Sequence, residues 1–220
     1  MQHGISQGHD LVTRQTRALL ICGVVAGPLY TIVGLIQAFT RPGFDITRHT
    51  LSLLENGDLG RLEISTFLLS GLLFVAGAIG MWQVMRGSRG GTWGPILIGA
   101  VGVGLIGAGC FTADPALGFP PGTAASGVSW HGLGHLIVSS LSFLALVAAF
   151  GVFARRFFVQ RQRGWATYSI ISGVIAFVAF AVLASGNFWI TSVFVFAMLN
   201  AYVWCSLMAA RLLTERAASA

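Results

Sequence analysis

Two histidines, His131 and His135, lie four residues apart in the segment SWHGLGH, in a chain with few other ionisable groups. On a helix, residues with this spacing project from the same face, with about 5–6 Å between them. Two such imidazoles can bind one metal ion, as in the helical HExxH pairs of zinc enzymes. The pair therefore indicates a candidate metal site at the start of a helix, and Ser139 continues the same face one turn further along.

His49 and Asp114 are the residues best suited to complete this site. Pro115 disfavours helical geometry at Asp114, so we expect a helix to end here and to leave the carboxylate free to turn inwards. Glu55 is a further candidate base, although an acidic residue in a loop is more often solvated.

The candidate site has one chemical and one structural interpretation. In the chemical one, His49, His131 and His135 hold Zn²⁺, which lowers the pKa of a bound water. Asp114 orients or deprotonates that water, and Ser52, three residues after His49, hydrogen-bonds the developing oxyanion. In the structural interpretation, the same histidines and Asp114 hold the loops together by hydrogen bonds.

The composition indicates that a membrane surrounds these residues. The chain has 220 residues, 55% of them hydrophobic and only 9% charged, and its mean hydropathy is +0.79. Soluble domains carry about 25% charged residues. Six apolar runs are long enough to span a bilayer: 18–39, 62–85, 93–112, 132–154, 165–186 and 189–212. We therefore predict an all-α, polytopic membrane bundle as a single domain over 18–212, with tails at 1–17 and 213–220.

Two long connections lie on the side of the bundle that carries the candidate site. Residues 40–61 include DITRHTLSLLE, whose pattern predicts a short helix outside the membrane, with Asp45 or Thr47 as its N-cap. Residues 113–130 contain three prolines and several small residues. This composition predicts a loop that folds over the bundle rather than a further span.

The arginines predict the orientation. If six spans alternate, ten arginines fall on one side and only Arg41, Arg48 and Arg61 on the other. The excess of basic residues marks the cytoplasmic side, so we expect both termini in the cytoplasm of a multi-pass cell-membrane protein. The formal net charge of +6 has the same origin. Nucleic-acid binding is not expected, since no basic run is interleaved with aromatic residues.

The third span is rich in small residues, as in GPILIGAVGVGLIGAGC. Ala100, Gly104 and Ala108 recur at intervals of four. Small residues let helix backbones approach closely in lipid, so we predict that this span is central in the bundle.

The chain resembles a family of bacterial membrane proteins, domain-of-unknown-function family 998. Three motifs carry the resemblance: GPLYTIVGLIQAFTRPGFDITRHTLSLLENGDLGRLEISTFLLSGLLFVAGAIG, GAGCFTADP and SWHGLGH. It covers roughly residues 15–212 and implies a multi-pass membrane protein without an assigned activity.

A weaker resemblance is to the superfamily of alkaline ceramidases and adiponectin-receptor-like proteins, which are intramembrane zinc hydrolases. His131 and His135 match the HxxxH pair of that superfamily. Here, however, Ser52 follows His49 by three residues rather than preceding it by four, and the pair lies in a fourth span of six rather than in a seventh.

Two functions remain open from the sequence. The first is a metal-dependent hydrolase of a membrane lipid amide or ester, with Zn²⁺ at the site. The second is a non-catalytic protein that binds a lipid or a partner, in which the histidines form a structural or pH-sensing network. A transporter is less favoured, because the chain shows no clear inverted repeat and no charged pathway through the other half of the bundle.

Overall fold

The computed structural model describes residues 2–123 and 127–217, with side chains described from residue 14 to residue 215 outside that gap. The described residues form six long helices: α1 (Gln2–Thr40), α2 (Gly60–Met85), α3 (Trp93–Cys110), α4 (Trp130–Val159), α5 (Arg163–Ala184) and α6 (Thr191–Ala217). Each contains a segment long and apolar enough to cross a membrane. The predicted all-α membrane bundle is therefore confirmed.

The helices extend beyond the predicted spans at several ends. Helix α1 begins at Gln2, so the segment predicted as an N-terminal tail continues the first span as helix. Helix α6 runs to Ala217 and includes most of the segment predicted as a C-terminal tail. Met1 and residues 218–220 of these tails lie outside the described residues.

The six helices pack as a ring in chain order, and α6 closes the ring against α1. Helix α3 lies between α2 and α4, and its residues Ile96 and Val103 face outwards, 51% and 62% exposed. The prediction that the third span is central is therefore wrong. Its small residues lie on two faces instead: Gly102 approaches the backbone of α2 at Gly71, and Gly104 packs against Ser142 of α4.

Close backbone approach also joins the first and last helices. Gly27 of α1 donates its N–H to Ser206 Oγ at 2.9 Å, and Ser206 donates in turn to the Gly23 carbonyl at 2.8 Å. A Cβ at Gly27 would overlap the Tyr202 carbonyl. The missing side chain therefore lets the two backbones meet, and one serine bridges them.

One end of the bundle is covered by the loops 41–59 and 111–129, and we call it the capped end. The first loop contains a 3₁₀ helix at Leu51–Glu55. The predicted short helix thus exists, but it begins later than expected, and the N-cap residue is Thr50 rather than Asp45 or Thr47. Asp45 accepts hydrogen bonds from the backbone N and the hydroxyl of Thr47 at 2.9 and 2.7 Å. This local turn competes with helix formation at 45–48.

The second loop packs onto the first. Phe119 is 1% exposed and lies edge-on to Phe44. Asn56 donates to the Ala113 carbonyl at 3.1 Å, and the Arg41 guanidinium donates to the carbonyls of Leu54 and Asn56. The prediction that this loop folds over the bundle is confirmed for its described part, and residues 124–126 lie outside the described residues.

Candidate functional site

Asp114 lies in the second loop and binds the N-terminal end of α4. Its carboxylate accepts the Ser129 N–H at 2.8 Å and the Ser129 hydroxyl at 2.6 Å, and Ser129 Oγ accepts the Gly132 N–H at 3.0 Å as the N-cap of the helix. These hydrogen bonds from Ser129 hold the pKa of Asp114 below its usual value. Asp114 is therefore an ionised acceptor that fixes the helix N-terminus.

The HxxxH pair binds backbone carbonyls in the last turn of α3 and just after it. His131 Nδ1 lies 3.0 Å from the Thr112 carbonyl, and His135 Nδ1 lies 2.8 Å from the Phe111 carbonyl and 3.2 Å from that of Ala108. The last carbonyls of a helix have no partner within it, and imidazole N–H groups can satisfy them. The spacing of four residues thus lets two rings on one face of α4 reach the C-terminal end of α3.

His49 is held separately, inside the first loop. Its Nδ1 accepts the Asp45 N–H at 2.9 Å, so Nε2 carries the hydrogen and donates to the Leu117 carbonyl at 3.1 Å. The ring is 3% exposed and lies against Phe44 and Phe119. Both ring nitrogens are engaged with backbone groups.

The three histidines contact different backbone groups in this arrangement. His131 and His135 each direct Nδ1 at backbone carbonyls, and both ring nitrogens of His49 are hydrogen-bonded. The part of the chain that the structure describes contains no group of three or more His, Cys, Asp or Glu side chains that could hold a metal ion. The zinc site at His49, His131 and His135 remains a prediction without geometric support.

Glu55 is a side-chain partner of His135. The sequence interpretation expected Glu55 to be solvated. The carboxylate is 5% exposed, its Oε2 accepts the Ala113 N–H at 2.8 Å, and the same oxygen lies 3.3 Å from His135 Nδ1. Burial is the main cause that raises the pKa of Glu55 to about 8. The expectation of a solvated loop acid is therefore wrong.

A second buried carboxylate, Glu63, lies near Glu55. It is fully buried, and its Oε2 accepts a hydrogen bond of 2.5 Å from Gln37 Nε2. The Tyr30 phenol lies beside it. The sequence interpretation did not assign Glu63 to the site. The available signal was that ionisable groups at membrane depth are costly and tend to be functional, in a chain with only seven acidic side chains.

A cavity of about 200 Å³ lies below the cap, inside the helix ring. Its polar lining residues include Thr50, Ser52, His135 and a series of serines on α4, and we call these the polar side. Its apolar lining residues on α5 and α6 include Phe180, Leu183, Phe194 and Met198, and we call these the apolar side. None of the described residues that line the cavity is Asp, Glu, Lys or Arg.

The cavity brings together only part of the predicted site. Ser52 and His135 both line it, and so does Ser139, one turn below His135 on α4. Asp114 pairs with His131, whose Nδ1 lies 3.8 Å from the carboxylate, but neither residue lines the cavity.

A family model described as "Protein of unknown function (DUF998)" matches residues 24–218, most of the chain. The chain belongs to this family. No curated protein and no solved structure matches the chain, and the comparisons show no likeness to zinc hydrolases.

The DUF998 match covers both the cap and the cavity. It begins within α1 and continues through α6, so every lining residue lies inside it. The cavity is therefore formed entirely within the DUF998 region.

Proposed function

We propose that the protein binds a neutral amphiphile of the membrane in the cavity at its capped end. The observation that carries this proposal is the division of the cavity into a polar side, with His135, Ser52 and the α4 serines, and an apolar side from α5 and α6. A molecule with one polar end and one hydrocarbon end matches both sides at once.

The absence of charge on the lining selects the class of ligand. A charged headgroup placed among the described lining residues would be desolvated without an opposite charge beside it, which is strongly unfavourable. A neutral headgroup can be satisfied by hydroxyl and imidazole groups alone.

The size and position of the cavity support the same ligand. An apolar cavity of about 150 Å³ holds a molecule the size of benzene, so this one, of about 200 Å³, has room for a headgroup and the adjoining part of a hydrocarbon chain. Leu136 lines the cavity and is also 56% exposed on the outside of α4. The cavity therefore reaches the lipid-facing surface, from which a membrane amphiphile enters.

Photocrosslinking tests the proposal. The probe is a monoacylglycerol with a diazirine in its acyl chain, added to the purified protein in nanodiscs, and peptide mapping locates the label. We expect saturable labelling on the cavity side of α4, α5 or α6. Ser139→Phe fills the cavity with a ring and should lower labelling at least tenfold, an order-of-magnitude expectation for a blocked pocket.

Leu141→Phe is the matched control, because Leu141 lies on the same helix, is 62% exposed and does not line the cavity. Its labelling should equal that of the parent. The proposal is overturned if the parent shows no saturable labelling, or if a folded Ser139→Phe protein is labelled as strongly as the parent.

The zinc hydrolase is the other function that the sequence left open, and it has an independent test. It requires three imidazoles at one ion, whereas His49 has both nitrogens engaged. Stoichiometric zinc in the purified parent, lost on substitution of His135, would restore that hypothesis.

A further inference from the structure

The His135 ring has a defined tautomer. Three oxygen atoms surround Nδ1: the Phe111 carbonyl at 2.8 Å, the Ala108 carbonyl at 3.2 Å and Glu55 Oε2 at 3.3 Å. Carbonyl oxygens only accept hydrogen bonds, so Nδ1 must carry the hydrogen. In a neutral imidazole, the other nitrogen, Nε2, is then an acceptor with a free lone pair.

The surroundings favour the neutral ring. His135 is 5% exposed, and burial disfavours the charged form of a histidine. Burial also raises the pKa of the neighbouring Glu55 carboxyl to about 8, so this carboxyl is mostly protonated at neutral pH. No full negative charge from Glu55 then stabilises an imidazolium.

The free lone pair faces the cavity. All hydrogen-bonding contacts of the His135 ring with the described residues are made at Nδ1, on the side of α3 and the cap. The residue nevertheless lines the cavity, which leaves Nε2 as the polar atom on that side. A ligand that supplies a hydrogen-bond donor can therefore pair with this acceptor.

We propose that His135 Nε2 accepts a hydrogen bond from a hydroxyl group of the bound amphiphile, so that the site selects neutral lipids with a free hydroxyl. This inference rests on the proposed function and names the ligand group that the polar side recognises. Glu55 is a positioning residue, since it holds Nδ1 from the side away from the cavity. Ser139 and Ser52 lie nearby in the lining and are not required for the preference, because a serine hydroxyl can satisfy itself on its own backbone.

A pair of probes tests the hydroxyl requirement. The first is a monoalkylglycerol with free hydroxyls, and the second is its O-methylated form with the same chain. Each competes against the diazirine monoacylglycerol for labelling of the parent in nanodiscs. We expect the hydroxyl form to compete about tenfold more strongly, since the methylated form leaves the Nε2 acceptor unpaired.

His135→Asn identifies the acceptor. The asparagine amide can replace the Nδ1–H donor towards the carbonyls of Ala108 and Phe111, while nothing replaces Nε2. This variant should bind both probes with similar strength. Leu141→Ala is the matched control, because Leu141 lies on the same helix and does not line the cavity, and it should keep the preference of the parent.

The outcomes separate the inference from the function on which it rests. If neither probe competes in the parent, the proposed function fails, and the inference fails with it. If both compete equally, the amphiphile site stands, but the hydroxyl selection by His135 is refuted. If a folded His135→Asn keeps the preference, the acceptor is a different residue. Should His135→Asn not fold, the two probes on the parent still decide whether the site selects a hydroxyl.

Discussion

The buried carboxyl of Glu55 should make the stability of the protein depend on pH, and Glu55→Gln should remove most of that dependence. Burial raises the pKa of Glu55 from an ordinary 4.5 to about 8. A group with a raised pKa in the folded state contributes its full stability below the unfolded pKa and loses it as the pH rises through the folded pKa. The protein should therefore lose stability between pH 4.5 and pH 8.

The size of the effect follows from proton linkage. Through most of this range the folded protein retains the Glu55 proton and the unfolded chain has released it, so stability falls by about 1.4 kcal/mol per pH unit. Between about pH 6 and pH 8 the loss amounts to about 2 kcal/mol, because the folded carboxyl is itself half ionised at the upper end. Glutamine keeps an oxygen that can accept the Ala113 N–H and has no proton to lose.

The assay unfolds the parent and the Glu55→Gln variant with SDS in mixed micelles at about pH 6 and pH 8, and circular dichroism monitors the unfolding. Both proteins keep the titratable groups that face Glu55, His135 at 3.3 Å and Glu63. The difference between the two proteins therefore reports the loss of the Glu55 carboxyl together with its interaction with these groups. A parent whose stability is flat over this range would refute the reasoning. So would a Gln variant that loses as much stability as the parent.

Two further predictions concern packing and orientation. Gly27→Ala should destabilise the bundle by about 1–3 kcal/mol in the same SDS assay, because the new Cβ overlaps the Tyr202 carbonyl. The control Gly151→Ala should be neutral or stabilising, because its Cβ would have nothing within 4 Å. Equal effects of the two substitutions would contradict the close approach of α1 and α6. In a cysteine-free protein on intact cells, an impermeant maleimide should label Thr123→Cys in the cap but not Arg161→Cys, both exposed positions. Labelling of Arg161→Cys from outside would reverse the orientation predicted from the arginines.

The sequence predicted the helices well because their signal is local. Long apolar runs determine six spans, and the runs end where loop residues begin, which the helices confirm. The position of α3 was mispredicted, since small residues show only that a helix is approached closely. They do not show how many neighbours approach it, and Gly102 and Gly104 contact two different helices.

The candidate site was predicted in part, for a similar reason. The spacing of His131 and His135 correctly placed both rings on one face of α4. Their partners are backbone carbonyls at the end of α3, and every residue has a carbonyl, so no side-chain pattern reveals such a partner. Glu55 was expected in solvent because its burial depends on the Ala113 N–H, contributed by a loop 58 positions away.

The cap therefore determines which of these residues can act on a ligand. His49 uses both ring nitrogens to hold the first loop, and Asp114 accepts two hydrogen bonds that fix the start of α4. His135 spends only Nδ1 on the end of α3 and on Glu55, and it alone of the three also lines the cavity. His135 thus supports the cap through Nδ1, and under the proposed function Nε2 is the ring nitrogen left to accept a hydrogen bond from the ligand.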